Sequence, residues 1–508
     1  MAVFAAGGAL LDGISAKRRS ADLLLALPFI VLFFVQLLHH QMWRDELNAW
    51  GIAAASPNLR TLFHYIHYEA HPSLWYLLLW ITSRFTAAPD AMKVAEGIIG
   101  VLIYLAITFW SPFAQPEKAL LFLSYFISFE YTVLSRMYGL CLLLLLLYLH
   151  RRVTRPHQMV GNAALIGVLA NADMLGMILS FALLAEYGFD RLEAQGSSGA
   201  RDRKRIYTAA LVYFTLVGIS VWTLMPAGDL SWRTTGRMLA FASSLKHLGE
   251  AVGYYLVLPW WPINPGWPYR WWNFFPGLYA LFLAPVVLGV YYLIFRHDRN
   301  LLLLIGINAV SAIAFAHLIY LGATRHYGIT FLAFLAALWI QQSRRSGISP
   351  LASGLLILSA VSGVLAAIAQ WHHPFSNVEN AAAWIRQHRL QDAVLVGTPD
   401  TGTTGVAEEL QRSMYFLDCS CSDRFVLYSN RRDNFRREQI PYRLKLAAEQ
   451  LHAPEMILLM SYPLRDEEIK LISQQSLHVT PLARFTGAEM WEEDFYVYEV
   501  DKVPKSAI

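Results

Sequence analysis

Eleven apolar runs, cut apart by short polar stretches, leave this chain few ways to fold. The first runs from Ala21 to Leu38. The others cover residues 92–110, 118–134, 137–150, 158–170, 174–188, 207–225, 276–295, 300–320, 327–341 and 350–370. Crossing a hydrocarbon core of about 30 Å takes roughly 20 apolar residues as a helix, fewer where the bilayer thins. Charged residues are 15% of the 508, against about a quarter in soluble domains, and almost half of them lie after Pro374. The chain therefore reads as an all-α polytopic membrane domain, residues 1–374, followed by a soluble α/β domain, residues 375–508. A net charge of +4 gives no basic surface for nucleic acid.

Topology follows from the basic residues. Lys17, Arg18 and Arg19 precede the first run, which has no small-residue exit and ends in His39-His40-Gln41-Met42-Trp43. This is a retained helix rather than a signal peptide. Its basic flank is expected in the cytoplasm, which puts Trp43 outside. The clusters Arg151 to Arg155, Arg201 to Arg205, Arg296 to Arg299 and Arg344-Arg345 all fall inside only if His71 to Phe85 does not span. That segment is expected as an amphipathic or re-entrant helix within a first exterior loop, about 41–91. The result is about eleven spans, an exterior C-terminus and a second large exterior loop, about 226–275. The latter holds an apolar stretch, Leu248 to Leu258, and the Trp- and Tyr-rich run from Pro259 to Trp272. Such a run suits an interfacial anchor, or else a surface that stacks on lipid or sugar.

Beyond Pro374 the pattern predicts helices over 378–388 and 443–450 and strands over 393–397, 456–460 and 495–500. Gly397 to Gly402 reads as a turn, and no Gly-rich phosphate loop or nucleophile elbow is present. Acceptor recognition, a lid or a structural cap are the roles open to such a domain. Three cysteines exclude a disulfide framework. The Cys419-Ser420-Cys421 spacing is poor for a disulfide, and Cys141 sits in a Leu run as packing.

Chemistry concentrates on the exterior side. Asp45 and Glu46 follow the first helix directly, at a membrane exit where ionisable groups are costly and often functional. A carboxylate there could take a proton from a hydroxyl or help hold a divalent cation. As a plain helix end, Asp45 would only pair weakly with Arg44. Next come His64, His67, Glu69 and His71, then Glu130, then Ser135-Arg136-Met137-Tyr138, then Thr324-Arg325-His326-Tyr327. By the same parity all face one side. Forked guanidinium donors suit phosphate oxygens. His64, His67 and His71 fall on one side of a helix, but Pro72 interrupts it. No metal site is assigned, and a divalent cation is left open.

In these residues the chain resembles the GT-C glycosyltransferases. The carriers are Asp45-Glu46 after the first helix, His71-Pro72-x-Leu-x-Tyr, Arg136-x-Tyr138 and Arg325-x-Tyr327. The branch most similar is that of the protein O-mannosyltransferases and the aminoarabinose transferase of lipid A. The likeness covers roughly residues 20–370, and its strength lies in the order and common sidedness of short motifs. It departs at Asn171-Ala172-Asp173, where many relatives carry a histidine, and at His326, which separates Arg325 from Tyr327.

The resemblance implies an enzyme that moves a sugar from a polyprenyl-phosphate donor to an acceptor lipid, protein or polysaccharide, at the outer face of a bacterial inner membrane. It implies an inverting displacement with Asp45 activating the acceptor hydroxyl and Glu46 orienting the site or sharing the proton. Phosphate leaves without a general acid, so cations supply the stabilisation. Arg325 and Arg136, with Tyr138, are assigned that role, and Lys246, Arg270 and His326 stand in reserve. His64, His67, Glu69, His71 and Glu130 are placed near substrate. A polymerase or ligase using diphosphate-linked donors would concentrate its cations in one loop. A transporter would show internally repeated halves, and none is found.

Overall fold

A computed structural model describes residues 16–195, 200–230, 245–260, 277–345, 347–390, 392–433, 435–490 and 492–502. Among the described residues fifteen α-helices precede the sheet region. They are α1 (Ala16–His39), α2 (Arg44–Ala55), α3 (Leu59–Ile66), α4 (Ser73–Thr82), α5 (Ala91–Trp110), α6 (Gln115–Leu123), α7 (Met137–Thr154), α8 (Met159–Leu169), α9 (Met174–Gln195), α10 (Ala200–Leu224), α11 (Leu245–Leu256), α12 (Gly277–Phe295), α13 (Arg299–Leu318), α14 (Thr324–Arg344) and α15 (Pro350–His372). Six stretches among them are long and apolar enough to cross a membrane: Arg19–His39, Ala91–Trp110, Met137–Thr154, Arg203–Leu224, Arg299–Leu318 and Pro350–His372. Leu23, Leu24, Leu27, Val31 and Leu38 on α1, and Phe214, Val221 and Trp222 on α10, remain exposed. An apolar face of that kind is suited to lipid tails.

α14 is different. Every residue from His326 to Ile340 is buried, and a helix apolar all round belongs in the interior. It is the central pillar, and it carries Arg325 in its first turn and Arg344 in its last. α4 has ten residues, about 15 Å at 1.5 Å per residue, too short to cross a bilayer. The expected run over 118–134 is broken: α6 stops at Leu123, and Phe126–Glu130 forms a π-helical turn. π-turns are rare and frequent at functional sites.

After α15 come α16 (Val378–Gln387), α17 (Asp400–Glu409), α18 (Ile440–Gln450) and α19 (Asp466–Gln474). The strands are β1 (Leu395–Thr398), β2 (Met414–Phe416), β3 (Cys421–Asp423), β4 (Glu455–Met460), β5 (Leu477–Phe485) and β6 (Phe495–Lys502). They make one sheet in the order β3-β2-β1-β4-β6-β5. β1 runs parallel to β2 and β4, and the other pairs are antiparallel. The stretch expected as a turn at Gly397 to Gly402 is a strand end followed at once by α17. Cys419 and Cys421 do form a disulfide, against expectation. They flank the β2–β3 reversal, where Ser420 at φ 49° turns the chain and brings the two Cα atoms within 5.1 Å.

The sheet region is tied to the helical region near α2. Asn48 binds both backbone groups of one residue, accepting from the Val426 N–H at 2.7 Å and donating to its carbonyl at 3.3 Å. Gly51 permits this approach, because a Cβ there would lie 2.9 Å from Phe425 Cβ. Arg44 Nη1 meets Glu492 Oε2 at 2.6 Å, and Ser376 donates to Glu493 at 2.7 Å.

Candidate functional site

α2 starts at Arg44, and Asp45 and Glu46 occupy its first turn, where carboxylates complement exposed N–H groups. The two acids part company. Glu46 is fully buried and accepts from His40 at 2.9 Å, the Trp43 N–H at 3.1 Å and the Ser135 N–H at 2.6 Å. It locks the end of α1, the start of α2 and the approach to α7 together. Asp45 faces outward, with 26% of its side chain exposed.

Arg325 Nη2 reaches Asp45 Oδ2 at 3.0 Å, and its guanidinium lies over the Trp43 ring, 4.9 Å from the centroid. The Tyr131 hydroxyl holds the Arg325 carbonyl at 2.8 Å. Arg136 caps α7 and donates through Nη1 to the Asp45 carbonyl and through Nη2 to His71 Nε2 at 3.3 Å. Among the described residues no carboxylate oxygen lies within 4 Å of Arg136, although it is only 3% exposed. Its Nε and the His71 Nδ1 are buried without a partner. A buried cation without a matching anion is expensive, which makes this spot suited to an anion from outside.

Burial pushes the Asp45 carboxyl up, but Arg325, Arg136 and Arg44 outweigh it and hold the group below its ordinary value. Asp45 is therefore ionised at neutral pH and a weak base while Arg325 is on it. Burial pushes Glu69 up to about 7, with Arg136 opposing. Its carboxylate accepts from Tyr76 at 3.0 Å and Asn48 at 3.3 Å. Burial and then Arg136 push His71 down to about 3, so its ring is neutral.

The structure brings Asp45, Glu69, His71, Arg136 and Arg325 together. Tyr138 and His326 stand just behind, with the Tyr138 hydroxyl 3.3 Å from His326 Nε2. Glu130 ends the π-turn, buried, accepting from Tyr125 at 2.5 Å. His67 is turned to the Met225 carbonyl at 2.7 Å, and His64 is exposed beside Tyr65 and Tyr68. The three histidines do not converge. The one acidic group at ligand spacing among the described residues is Glu455, Glu499 and Asp501, away on the sheet. Lys246 is 73% exposed, 3.9 Å from Glu250 on its own helix. Arg270, the Trp-rich run and much of the second loop lie outside the described residues. Sequence reasoning missed Trp43 and Tyr131, which hold Arg325. Only Trp43 carried a signal, its position two residues before Asp45.

No family model matches the chain, and no curated protein matches it. Two solved structures are similar: the crystal structures of ArnT from Cupriavidus metallidurans bound to undecaprenyl phosphate and in the apo state. Each is 13% identical with a TM-score of 0.48. The first likeness covers 95% of this chain and 98% of that one, the second 94% and 97%. This is a loose likeness of architecture, and the function proposed next stands on the site itself.

Proposed function

We propose that this chain is an integral membrane glycosyltransferase that moves a sugar from a polyprenyl-phosphate donor to an acceptor hydroxyl, at the extracytoplasmic face. The observation that carries this reading is the pair of guanidiniums, Arg325 and Arg136, converging on an ionised, partly open carboxylate. Among the described residues one of the two, Arg136, has no carboxylate oxygen within 4 Å. A phosphate satisfies that geometry, and the apolar helices below it suit a lipid tail.

In this reading the donor phosphate competes with Asp45 for Arg325. Once Arg325 turns to the phosphate, Asp45 loses its nearest positive charge and becomes a stronger base. It then removes the acceptor proton as the hydroxyl attacks the anomeric carbon in one inverting displacement. The sugar–phosphate bond breaks, and charge developing on the leaving phosphate falls to Arg325 and Arg136. Glu46 acts by holding the start of α2 in place, since its oxygens are taken by His40, Trp43 and Ser135. Sidedness is supported by the opposite ends of α7 and α14, where Arg152 and Arg344 share Glu186 and Asp190, since basic residues concentrate on the cytoplasmic side. About eleven crossings, the domain boundary near 374 and residence in a bacterial inner membrane belong to the same proposal.

Undecaprenyl phosphate binding to the purified chain in nanodiscs tests the reading. Wild type is expected to bind, and Arg325→Ala or Arg136→Ala to weaken binding at least tenfold. No binding by wild type, or binding untouched by both substitutions, contradicts it.

A further inference from the structure

The sheet region sends one segment, residues 424–432, against the Asp45 site. Its first half is pinned to the first loop. Phe425 packs on Tyr65 with ring centroids 5.5 Å apart, and Asn48 pairs with the Val426 backbone. Asn48 also donates to Glu69, so one side chain links this segment to a group of the site. The second half is pinned to residues beyond α10. The Asn430 N–H donates to the Asp229 carbonyl at 2.6 Å, and Ser429 forms an antiparallel bridge with Leu230. Asp229 in turn accepts from Tyr68 at 2.6 Å. Three separate parts of the chain thus close into one wall.

Tyr428 sits between the two pinned halves. The Arg432 guanidinium lies 4.9 Å from its ring centroid, and Arg432 is itself held by Asp400 through both carboxylate oxygens. The ring is therefore clamped. Two residues before it, Val426 is bonded to Asn48, which also holds Glu69, so Tyr428 lies close along the chain to a group of the site. Yet among the described residues its hydroxyl makes no hydrogen bond. Tyr428 is half-buried, so its ring is held in place while its hydroxyl stays open to a partner from outside.

We propose that Tyr428 is a substrate contact contributed by the sheet region, its hydroxyl hydrogen-bonding the hydroxylated acceptor as it approaches Asp45. This rests on the glycosyltransferase reading above. Arg325 and Arg136 occupy the phosphate side of Asp45. Tyr428 occupies the side from which an acceptor enters. The sheet region then completes the site rather than covering it, and acceptor choice depends partly on residues 424–432.

The test uses the full chain in a strain lacking its own copy, at matched membrane levels. Wild type and Tyr428→Phe are compared by mass spectrometry of envelope glycans, and the purified proteins by undecaprenyl phosphate binding in nanodiscs. Phenylalanine keeps the ring and its stacking on Arg432. Tyr428→Phe is expected to lower the transferred sugar about tenfold, the scale of one lost hydrogen bond in a buried site, with undecaprenyl phosphate affinity within twofold of wild type. A wild-type sugar level with Tyr428→Phe overturns the proposal. So does a parallel loss of undecaprenyl phosphate affinity, which would put Tyr428 on the donor side. If wild type itself restores no sugar and binds no undecaprenyl phosphate, the glycosyltransferase reading fails, and the Tyr428 assignment with it.

Discussion

α7 and α14 each carry an arginine at both ends, and the two ends are built differently. At the end proposed to face inward Arg152 meets Glu186 at 3.0 Å and Asp190 at 2.8 Å. Arg344 meets Asp190 at 2.7 Å and Asp298 at 2.6 Å. Cations and acids alternate, and four helices are tied by them. At the opposite end Arg325 meets Asp45 at 3.0 Å, and among the described residues no carboxylate oxygen lies within 4 Å of Arg136. A buried ionic cluster that is complete in itself holds a fold together. One in which a buried guanidinium such as Arg136 meets no carboxylate among the described residues is suited to an anion from outside.

Substitutions can break that contrast. The largest effect expected is on stability at the Arg152 end. Arg152→Ala leaves Glu186 buried without its nearest cation and should cost about 3–5 kcal/mol, read as a lower melting temperature in detergent. Activity per folded molecule should be unchanged. Arg325→Ala should do the reverse, costing about 2.7–4 kcal/mol of transition-state stabilisation, or roughly a 100- to 1,000-fold loss of rate, with little loss of melting temperature. If both variants lose stability and activity alike, the two ends are not functionally distinct.

A pH series sharpens the comparison. Glu69 is raised to about 7, so the stability it contributes is complete below about 4.5 and is lost as pH rises through about 7. Relative to Glu69→Gln, wild type should therefore lose melting temperature as pH rises from 5 to 8. His71, lowered to about 3, acts in the other direction. Its contribution is present above about 6.5 and fades as pH falls toward 3. The smallest effect is expected at Lys246, whose exposed 3.9 Å pair with Glu250 is of the kind worth less than about 1 kcal/mol. Lys246→Ala should leave transfer within twofold of wild type.

Much of this contrast was legible in the sequence, because it depends on where charges interrupt apolar runs. Asp45, Arg136 and Arg325 stand at ends of such runs, and alternation of basic loops was enough to expect them on one side. The helices and strands of the C-terminal region were legible where apolar runs were long, as at β4 and β6. Short β2 and β3 carried too few residues to show a period. The division of labour between Asp45 and Glu46 was not legible, since it depends on which neighbour each carboxylate finds. Glu46 is satisfied by Ser135, 89 residues away, and Arg44 by Glu492, 448 residues away. Tyr428 was hidden for the same reason. Nothing in its local sequence distinguishes it from a surface tyrosine until the 424–432 segment is seen pinned beside Asn48 and Asp229. The Cys419–Cys421 bond was missed because spacing alone does not report a left-handed residue at Ser420.

The central claim is that Asp45 is the base of a sugar transfer, and envelope glycans test it most directly. A strain lacking its own copy would receive wild type or Asp45→Asn at equal membrane levels, with glycans profiled by mass spectrometry. The account predicts that wild type restores a missing sugar and that Asp45→Asn restores at most about a hundredth as much. Full restoration by Asp45→Asn would contradict it, because a carboxamide cannot take up the acceptor's proton.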